Sequence, residues 1–85
     1  ASACVLHYVE NNKECKNGDL LLIDCGVDYA NYASDMTRTI PVNGKFTTRQ
    51  KEVYNAVLRV MKEARTLLKP GTFLMEYHKQ VGEIM

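Results

Sequence analysis

Two of the three aspartates between residues 20 and 39 interrupt apolar, strand-like runs of the sequence. Asp24 follows four consecutive aliphatic residues, and Asp35 lies eleven positions further along the chain. A carboxylate among apolar residues is costly unless a counter-charge compensates it, and two such groups repel each other when they are close. A divalent cation between them removes that repulsion, and carboxylate oxygens suit hard ions such as manganese, magnesium or calcium. The two aspartates are therefore candidate ligands of a metal site.

The pair and its neighbours also have simpler explanations. Either aspartate could be exposed to solvent or paired with Arg38 or a lysine, and two ligands do not complete a metal site. His7 lies in a short apolar run, where a histidine is either a packed residue or one that handles a proton or holds a substrate. We interpret His78 as a surface or packing residue, Arg38 as structural, and Cys25 as part of the core.

The pattern around the aspartates predicts three strands. The segments 3–9, 19–28 and 32–42 are apolar or rich in β-forming residues, and polar turn-forming residues separate them. Residues 20–23 show no polar alternation, which predicts that both faces of their strand are covered.

The geometry of the two aspartates depends on the register of the hairpin that joins the last two strands. A two-residue turn at positions 30–31 pairs Asp24 with Thr37 and Gly26 with Asp35. Since side chains alternate along a strand, these residues share one face, and the two aspartates are diagonal neighbours about 7 Å apart. Gly26 leaves space beside Asp35. A turn shifted by one residue would place the carboxylates on opposite faces.

Two helices are predicted after the strands. The segment 47–69 opens with a capping box in which Thr47 is the N-cap and Gln50 reaches back, and it ends at the following Pro-Gly. A second helix begins at about residue 73, with Thr72 as its cap. The apolar stripe of the first helix consists of Val53, Val57, Val60, Met61, Ala64, Leu67 and Leu68. This order predicts the α+β class, with helices packed on one face of an antiparallel sheet of about three strands.

Composition narrows the class of protein further. The 85 residues are 46% hydrophobic and 25% charged with a net charge of +1, which is ordinary for a globular protein and gives no reason to expect nucleic-acid or membrane partners. Three cysteines without a C-x-x-C motif favour a reducing compartment over a disulfide framework. The chain lacks an initiating methionine and ends inside a predicted helix, so we expect a piece of a larger domain.

Four stretches around the aspartates resemble one enzyme family. They are H-Y-V-E-N at 7–11, L-I-D-C-G at 22–26, Y-A-S-D-M-T-R-T at 32–39 and P-V-N-G-K-F at 41–46. Together they resemble the catalytic domain of Xaa-Pro aminopeptidases, which has the pita-bread fold shared with prolidase, methionine aminopeptidase and creatinase. The resemblance covers nearly the whole chain and implies that residues 1–85 are the N-terminal part of that domain, which is incomplete here.

The resemblance also implies roles for individual residues. Enzymes of this family hold two divalent metal ions, commonly manganese, with two Asp, one His and two Glu. Asp35 would bridge both metals, Asp24 would bind one, and Thr37 would support Asp35 or a metal-bound solvent. His7 would be a catalytic residue that lines the substrate pocket.

The resemblance implies a cytoplasmic metallo-aminopeptidase that hydrolyses the bond between an N-terminal residue and a following proline, and we expect it to form a homo-oligomer. The other ligands have no counterpart in this chain, so we expect the chain alone to be inactive and to bind metal weakly. Two alternatives stay open. One is prolidase, which acts on dipeptides. The other is a non-catalytic pita-bread module that binds peptides or proteins, which the retention of both aspartates makes the weaker alternative.

Overall fold

The computed structural model describes residues 4, 5 and 7–85 of the chain. Its residues fall into two units, Ala1–Lys45 and Phe46–Met85. All the strands of the described residues lie in the first unit, and both helices lie in the second. Antiparallel strands followed by two helices confirm the predicted α+β class.

The first unit is built on one hairpin with two ladders. Strand β1 (Leu20–Cys25) pairs antiparallel with β4 (Met36–Pro41), and β2 (Asp28–Tyr29) pairs antiparallel with β3 (Tyr32–Ala33). The predicted strands 19–28 and 32–42 are thus each divided in two, because the ladder is interrupted at residues 26–27 and 34–35.

Both ladders keep the predicted register. Asp24 lies opposite Thr37 in the long ladder, and Tyr29 lies opposite Tyr32 in the short one. The turn between Tyr29 and Tyr32 has φ of 50° at Ala30 and 69° at Asn31. Two consecutive positive φ angles are what a two-residue type I′ hairpin turn requires, and this turn twists the chain in the same sense as the strands. The predicted position of the turn is therefore confirmed.

The strand predicted at residues 3–9 is wrong for the residues that the structure describes. Residues 4, 5 and 7–9 form turn or irregular backbone, while residues 3 and 6 lie outside the described part. A β-rich run becomes a strand only where a neighbour supplies hydrogen bonds and a surface to pack on. The ladders of the described residues involve only β1 to β4, so this run has no pairing partner among them.

The apolar side chains of β1 are exposed. Leu21 is 38% exposed and Leu22, on the other face, is 58% exposed. Cys25, which we expected in the core, is exposed as well. The described part of the unit Ala1–Lys45 has its strands in one hairpin, and a single layer cannot bury its own faces.

The second unit is a pair of helices, α1 (Thr48–Leu67) and α2 (Leu74–Ile84). The predicted capping box is present at the start of α1. The Gln50 N–H donates to Thr47 Oγ1 at 3.2 Å, and the Thr47 N–H donates to Gln50 Oε1 at 3.0 Å. No helix among the described residues has the length and apolar character needed to cross a membrane.

Burial on α1 follows only part of the predicted apolar stripe. Ala64 is buried, whereas Val53 and Val57 of the same stripe are 48% and 64% exposed. Tyr54 and Leu58, which the stripe omits, are half-buried. Because α1 carries apolar residues around much of its circumference, helical periodicity alone does not fix which of them a single partner helix covers.

Thr72 does not cap α2 as predicted. The N-cap of α2 is Phe73, which makes no side-chain cap hydrogen bond. The Thr72 hydroxyl instead accepts from the Lys69 N–H and donates to the Leu67 carbonyl, both at 3.3 Å. These bonds satisfy backbone groups at the end of α1, where orphan carbonyls compete for the same hydroxyl.

Candidate metal centre

Asp24 is held by the residue opposite it in the long ladder. The Thr37 hydroxyl donates to Asp24 Oδ1 at 2.9 Å. Ser34 and Val27 form a hydrogen-bonded pair, with the Ser34 N–H donating to the Val27 carbonyl at 2.8 Å. Such pairs alternate along an antiparallel ladder, so Asp24 and Thr37 form a non-hydrogen-bonded pair, in which side chains approach most closely. Thr37 thus contacts Asp24, whereas the resemblance implied Asp35 or solvent as its partner.

Asp35 lies in the interruption between β3 and β4 and is exposed. The register on both sides places it across from Gly26. A β-carbon added to Gly26 would lie 3.5 Å from the Asp35 Cα and 3.0 Å from the Ser34 carbonyl carbon, and it would overlap the Ser34 carbonyl oxygen. The backbone of residues 34–35 therefore occupies the place that a side chain at position 26 would take.

The interruption has a local cause in Ser34. Its hydroxyl accepts a hydrogen bond from the Val27 N–H at 3.0 Å and lies 3.3 Å from the Val27 carbonyl, to which it donates. In a regular ladder the Val27 N–H would donate to the Ser34 carbonyl. Here the hydroxyl replaces that carbonyl, which is turned against Gly26 instead. Sequence reasoning missed Ser34, and the only signal was a hydroxyl residue opposite a glycine-containing stretch.

The other predicted site residues are not brought to the aspartates. Arg38 donates to the Thr37 carbonyl at 2.7 Å, and within residues 4, 5 and 7–85 neither aspartate forms an ion pair. His7 is exposed, and His78 lies in α2 of the second unit and is exposed too. The described residues contain no group of three or more His, Cys, Asp or Glu side chains that could hold a metal ion. Within the described residues, Asp24 and Asp35 thus have no third side chain grouped with them that could complete a metal site.

The whole chain, residues 1–85, matches the sequence model of metallopeptidase family M24. The chain belongs to metallopeptidase family M24. It is 49% identical over 84 residues to the Xaa-Pro aminopeptidase of Escherichia coli K12, a match that covers 99% of this chain and 19% of that protein. It is also 49% identical over 69 residues to human Xaa-Pro aminopeptidase 3, covering 81% of this chain and 14% of that protein.

Solved structures of Escherichia coli aminopeptidase P share the fold of this M24 chain. A zinc-substituted form in complex with product superposes with a TM-score of 0.86 at 50% identity, covering 96% of this chain and 19% of that one. A histidine-to-alanine variant gives a TM-score of 0.87. These likenesses confirm that the chain has part of the pita-bread fold. The chain spans about a fifth of the length of the relatives that it matches.

Two more of these structures carry alanine in place of an aspartate, with TM-scores of 0.87. The two substituted aspartates lie eleven positions apart in that enzyme. Asp24 and Asp35 have the same separation in this chain.

The donors of the hairpin suit the ions that a metallopeptidase uses. Membership of the M24 family and the zinc-substituted relative imply divalent metal ions. Asp24 and Asp35 supply carboxylate oxygens, which bind hard divalent cations and also zinc. Both side chains are exposed, and no cation of the described residues neutralises them, so their oxygens are available to a metal.

Proposed function

We propose that the protein containing this chain is a dinuclear-metal aminopeptidase that hydrolyses the bond between an N-terminal residue and a following proline. The observation that carries the proposal is the hairpin register, which sets Asp24 opposite Thr37 and Gly26 opposite Asp35. Support comes from the eleven-residue separation of the two aspartates, which equals that of the two aspartates substituted in Escherichia coli aminopeptidase P. The names of the relatives supply the reaction.

In this proposal Asp24 and Asp35 would be two of the five ligands that hold the metal ions. The ions, which we propose are manganese, would supply Lewis-acid chemistry when bound: an activated water and a polarised scissile carbonyl. Thr37 orients Asp24, because a hydroxyl bound to Oδ1 leaves Oδ2 directed away from it. His7 contributes to the substrate pocket, where an imidazole can hold the peptide or move a proton.

The substrate is a peptide with proline in its second position, and the protein acts in the cytoplasm as a homo-oligomer.

The 85-residue chain supplies two carboxylates of the site, so by itself it should not hydrolyse peptides. Calorimetric titration of this chain with manganese should show weak binding. Tight binding would contradict the proposal that most of the site lies outside these residues.

The ligand assignment is tested by Asp35→Asn in the full-length gene product that contains this sequence. The substitution keeps the shape of the side chain and removes the charge that holds the metal, so manganese-dependent release of the N-terminal residue from an Xaa-Pro tripeptide should fall by more than about 100-fold, the upper end of the loss for a group that only supports a ligand. The matched control is Asp28→Asn, an exposed acid of the same hairpin opposite Ala33, which should keep wild-type activity.

The same assay separates the alternatives. Full activity of the Asp35→Asn variant would refute the ligand assignment. Cleavage of Xaa-Pro dipeptides but not of tripeptides would identify a prolidase. A wild-type protein that binds these peptides and cleaves none would be a binding module.

A further inference from the structure

We propose that Gly26 is a positioning residue for Asp35, and that it acts by admitting the Ser34 carbonyl into the space of a side chain. The inference rests on the proposed function, in which Asp35 is a metal ligand. It adds a residue that touches neither metal nor substrate.

The argument begins with what surrounds Gly26. A β-carbon built there overlaps the Ser34 carbonyl oxygen and lies 3.0 Å from the carbonyl carbon. These atoms belong to the backbone, so they cannot rotate away as the end of a side chain could. Any larger residue at position 26 must displace the peptide that joins Ser34 to Asp35.

The second step is the hydrogen bonding that keeps this peptide turned. The Ser34 hydroxyl takes the bond from the Val27 N–H at 3.0 Å, which frees the Ser34 carbonyl from the ladder. The Ser34 N–H still donates to the Val27 carbonyl at 2.8 Å, so the two strands stay joined at this point. One side of residue 34 is thus anchored while its carbonyl faces Gly26.

The third step concerns Asp35, which is attached directly to the turned peptide. It belongs to neither β3 nor β4, so no ladder hydrogen bond of its own holds it in register. Its Cα lies 3.5 Å from the position that a Gly26 β-carbon would take. The contact between Gly26 and Ser34 therefore restrains the Asp35 backbone on its N-terminal side, as the pairing of Met36 with Cys25 does on its C-terminal side, and it sets the direction in which the carboxylate leaves the chain.

The test is manganese binding by the full-length gene product with Gly26→Ala. We expect its affinity, measured by calorimetry, to weaken about 10- to 100-fold, the usual loss when a group that orients a ligand is removed. Raising the manganese concentration should restore kcat, and KM for an Xaa-Pro tripeptide should stay unchanged, because Gly26 does not touch the substrate. A loss caused by general destabilisation would appear as unfolding of the metal-free variant, because excess metal stabilises the folded state and would rescue that loss as well.

The matched control is Gly82→Ala. An added β-carbon at Gly82 meets no atom within 4 Å and φ is not positive there, so the manganese affinity of Gly82→Ala should equal that of the wild type.

A second pair of variants, at Ser34, keeps the proposal testable where Gly26→Ala does not fold. Ser34→Ala removes the hydroxyl that frees the carbonyl and should weaken manganese binding, while Ser34→Thr keeps a hydroxyl and should retain it.

The outcomes separate this inference from the function on which it rests. Wild-type protein that binds no manganese would overturn both. Wild-type binding with equal affinity in Gly26→Ala, or in Ser34→Ala where the first variant is unfolded, would overturn the positioning role alone and leave the aminopeptidase proposal standing.

Discussion

At the scale of single residues, the site depends on what lies directly across the hairpin from each aspartate. Asp24 faces a hydroxyl that donates to it at 2.9 Å, whereas Asp35 faces a glycine. One carboxylate is oriented by a side chain and the other by the backbone. Both are exposed, so the hydrogen bond to Asp24 contributes little to folding and acts mainly on the direction of the carboxylate.

Thr37→Val tests the orientation of Asp24. Valine keeps the shape and the β-branch but cannot donate, so Asp24 should lose its fixed direction and the full-length protein should bind manganese about 10-fold more weakly in calorimetric titration. Thr37→Ser, which keeps the hydroxyl, should bind as the wild type does. Thr39→Val is the matched control, because Thr39 lies on the same strand face opposite Leu22. Equal affinities of Thr37→Val and wild type would refute the role.

The sequence predicts one half of this site and not the other. The pair of Asp24 and Thr37 follows from the turn position and from the two-residue period of a strand. The turned Ser34 peptide does not follow from either rule, since it depends on which of two acceptors, a hydroxyl or a carbonyl, takes the Val27 N–H. That choice is made by local geometry, and a serine in a strand gives no advance sign of it.

At the scale of elements, the turn at Ala30 and Asn31 fixes the register of the hairpin and therefore which side chains share a face. A slip of one residue would move Asp35 and Thr37 to the opposite face from Asp24. Asparagine accepts a positive φ readily, but alanine at φ 50° is strained. The turn that fixes the register therefore contains Ala30 in a left-handed conformation that alanine disfavours.

Ala30→Gly should therefore stabilise the hairpin by about 1 kcal/mol, because glycine removes the strain of a β-carbon at positive φ. Amide hydrogen exchange of the β1 and β4 ladders in the full-length protein should slow about 5-fold. Ala33→Gly is the control. Ala33 is paired in β3 and has no positive φ, so glycine there should speed the exchange. Faster exchange in Ala30→Gly would show that the turn is not strained at this residue.

In the helices, a prediction that depends on neighbouring residues alone is correct, whereas one in which several partners compete for the same group is wrong. The capping box of Thr47 and Gln50 is predicted correctly because its two hydrogen bonds join residues only three positions apart. Thr72 is predicted wrongly because the end of α1 offers its hydroxyl other partners. Which apolar residues of α1 are covered depends on the groups that pack on the helix, such as the ring of Phe46 against Tyr54, and the sequence does not specify these contacts.

At the scale of the whole molecule, each unit leaves apolar surface exposed. Leu22 in β1 and Val57 in α1 are 58% and 64% exposed. The sequence predicts covered faces for β1, and the unit Ala1–Lys45 by itself does not cover them. A buried-strand pattern states that a layer is needed, but it does not say which part of a protein supplies it. The chain matches about a fifth of the length of its relatives. In those proteins the other four fifths are long enough to supply layers that cover these apolar faces.

The 85-residue chain expressed alone should self-associate through the long ladder. Among the described residues, β1 and β4 form a two-stranded sheet in which each strand has one unpaired edge, and β1 exposes leucines on both faces. Such an edge pairs readily with another chain, and exposed apolar surface drives association at micromolar to millimolar concentration. Sedimentation should show oligomers that grow with concentration.

Leu22→Lys, which puts a charge on this edge strand, should shift the chain towards monomer. Tyr29→Lys makes the same kind of change at the hairpin tip, beyond the long ladder, and should not do so. A wild-type chain that stays monomeric over this range would show that the edge is protected in solution, and equal effects of the two lysines would assign the association to charge and not to the edge.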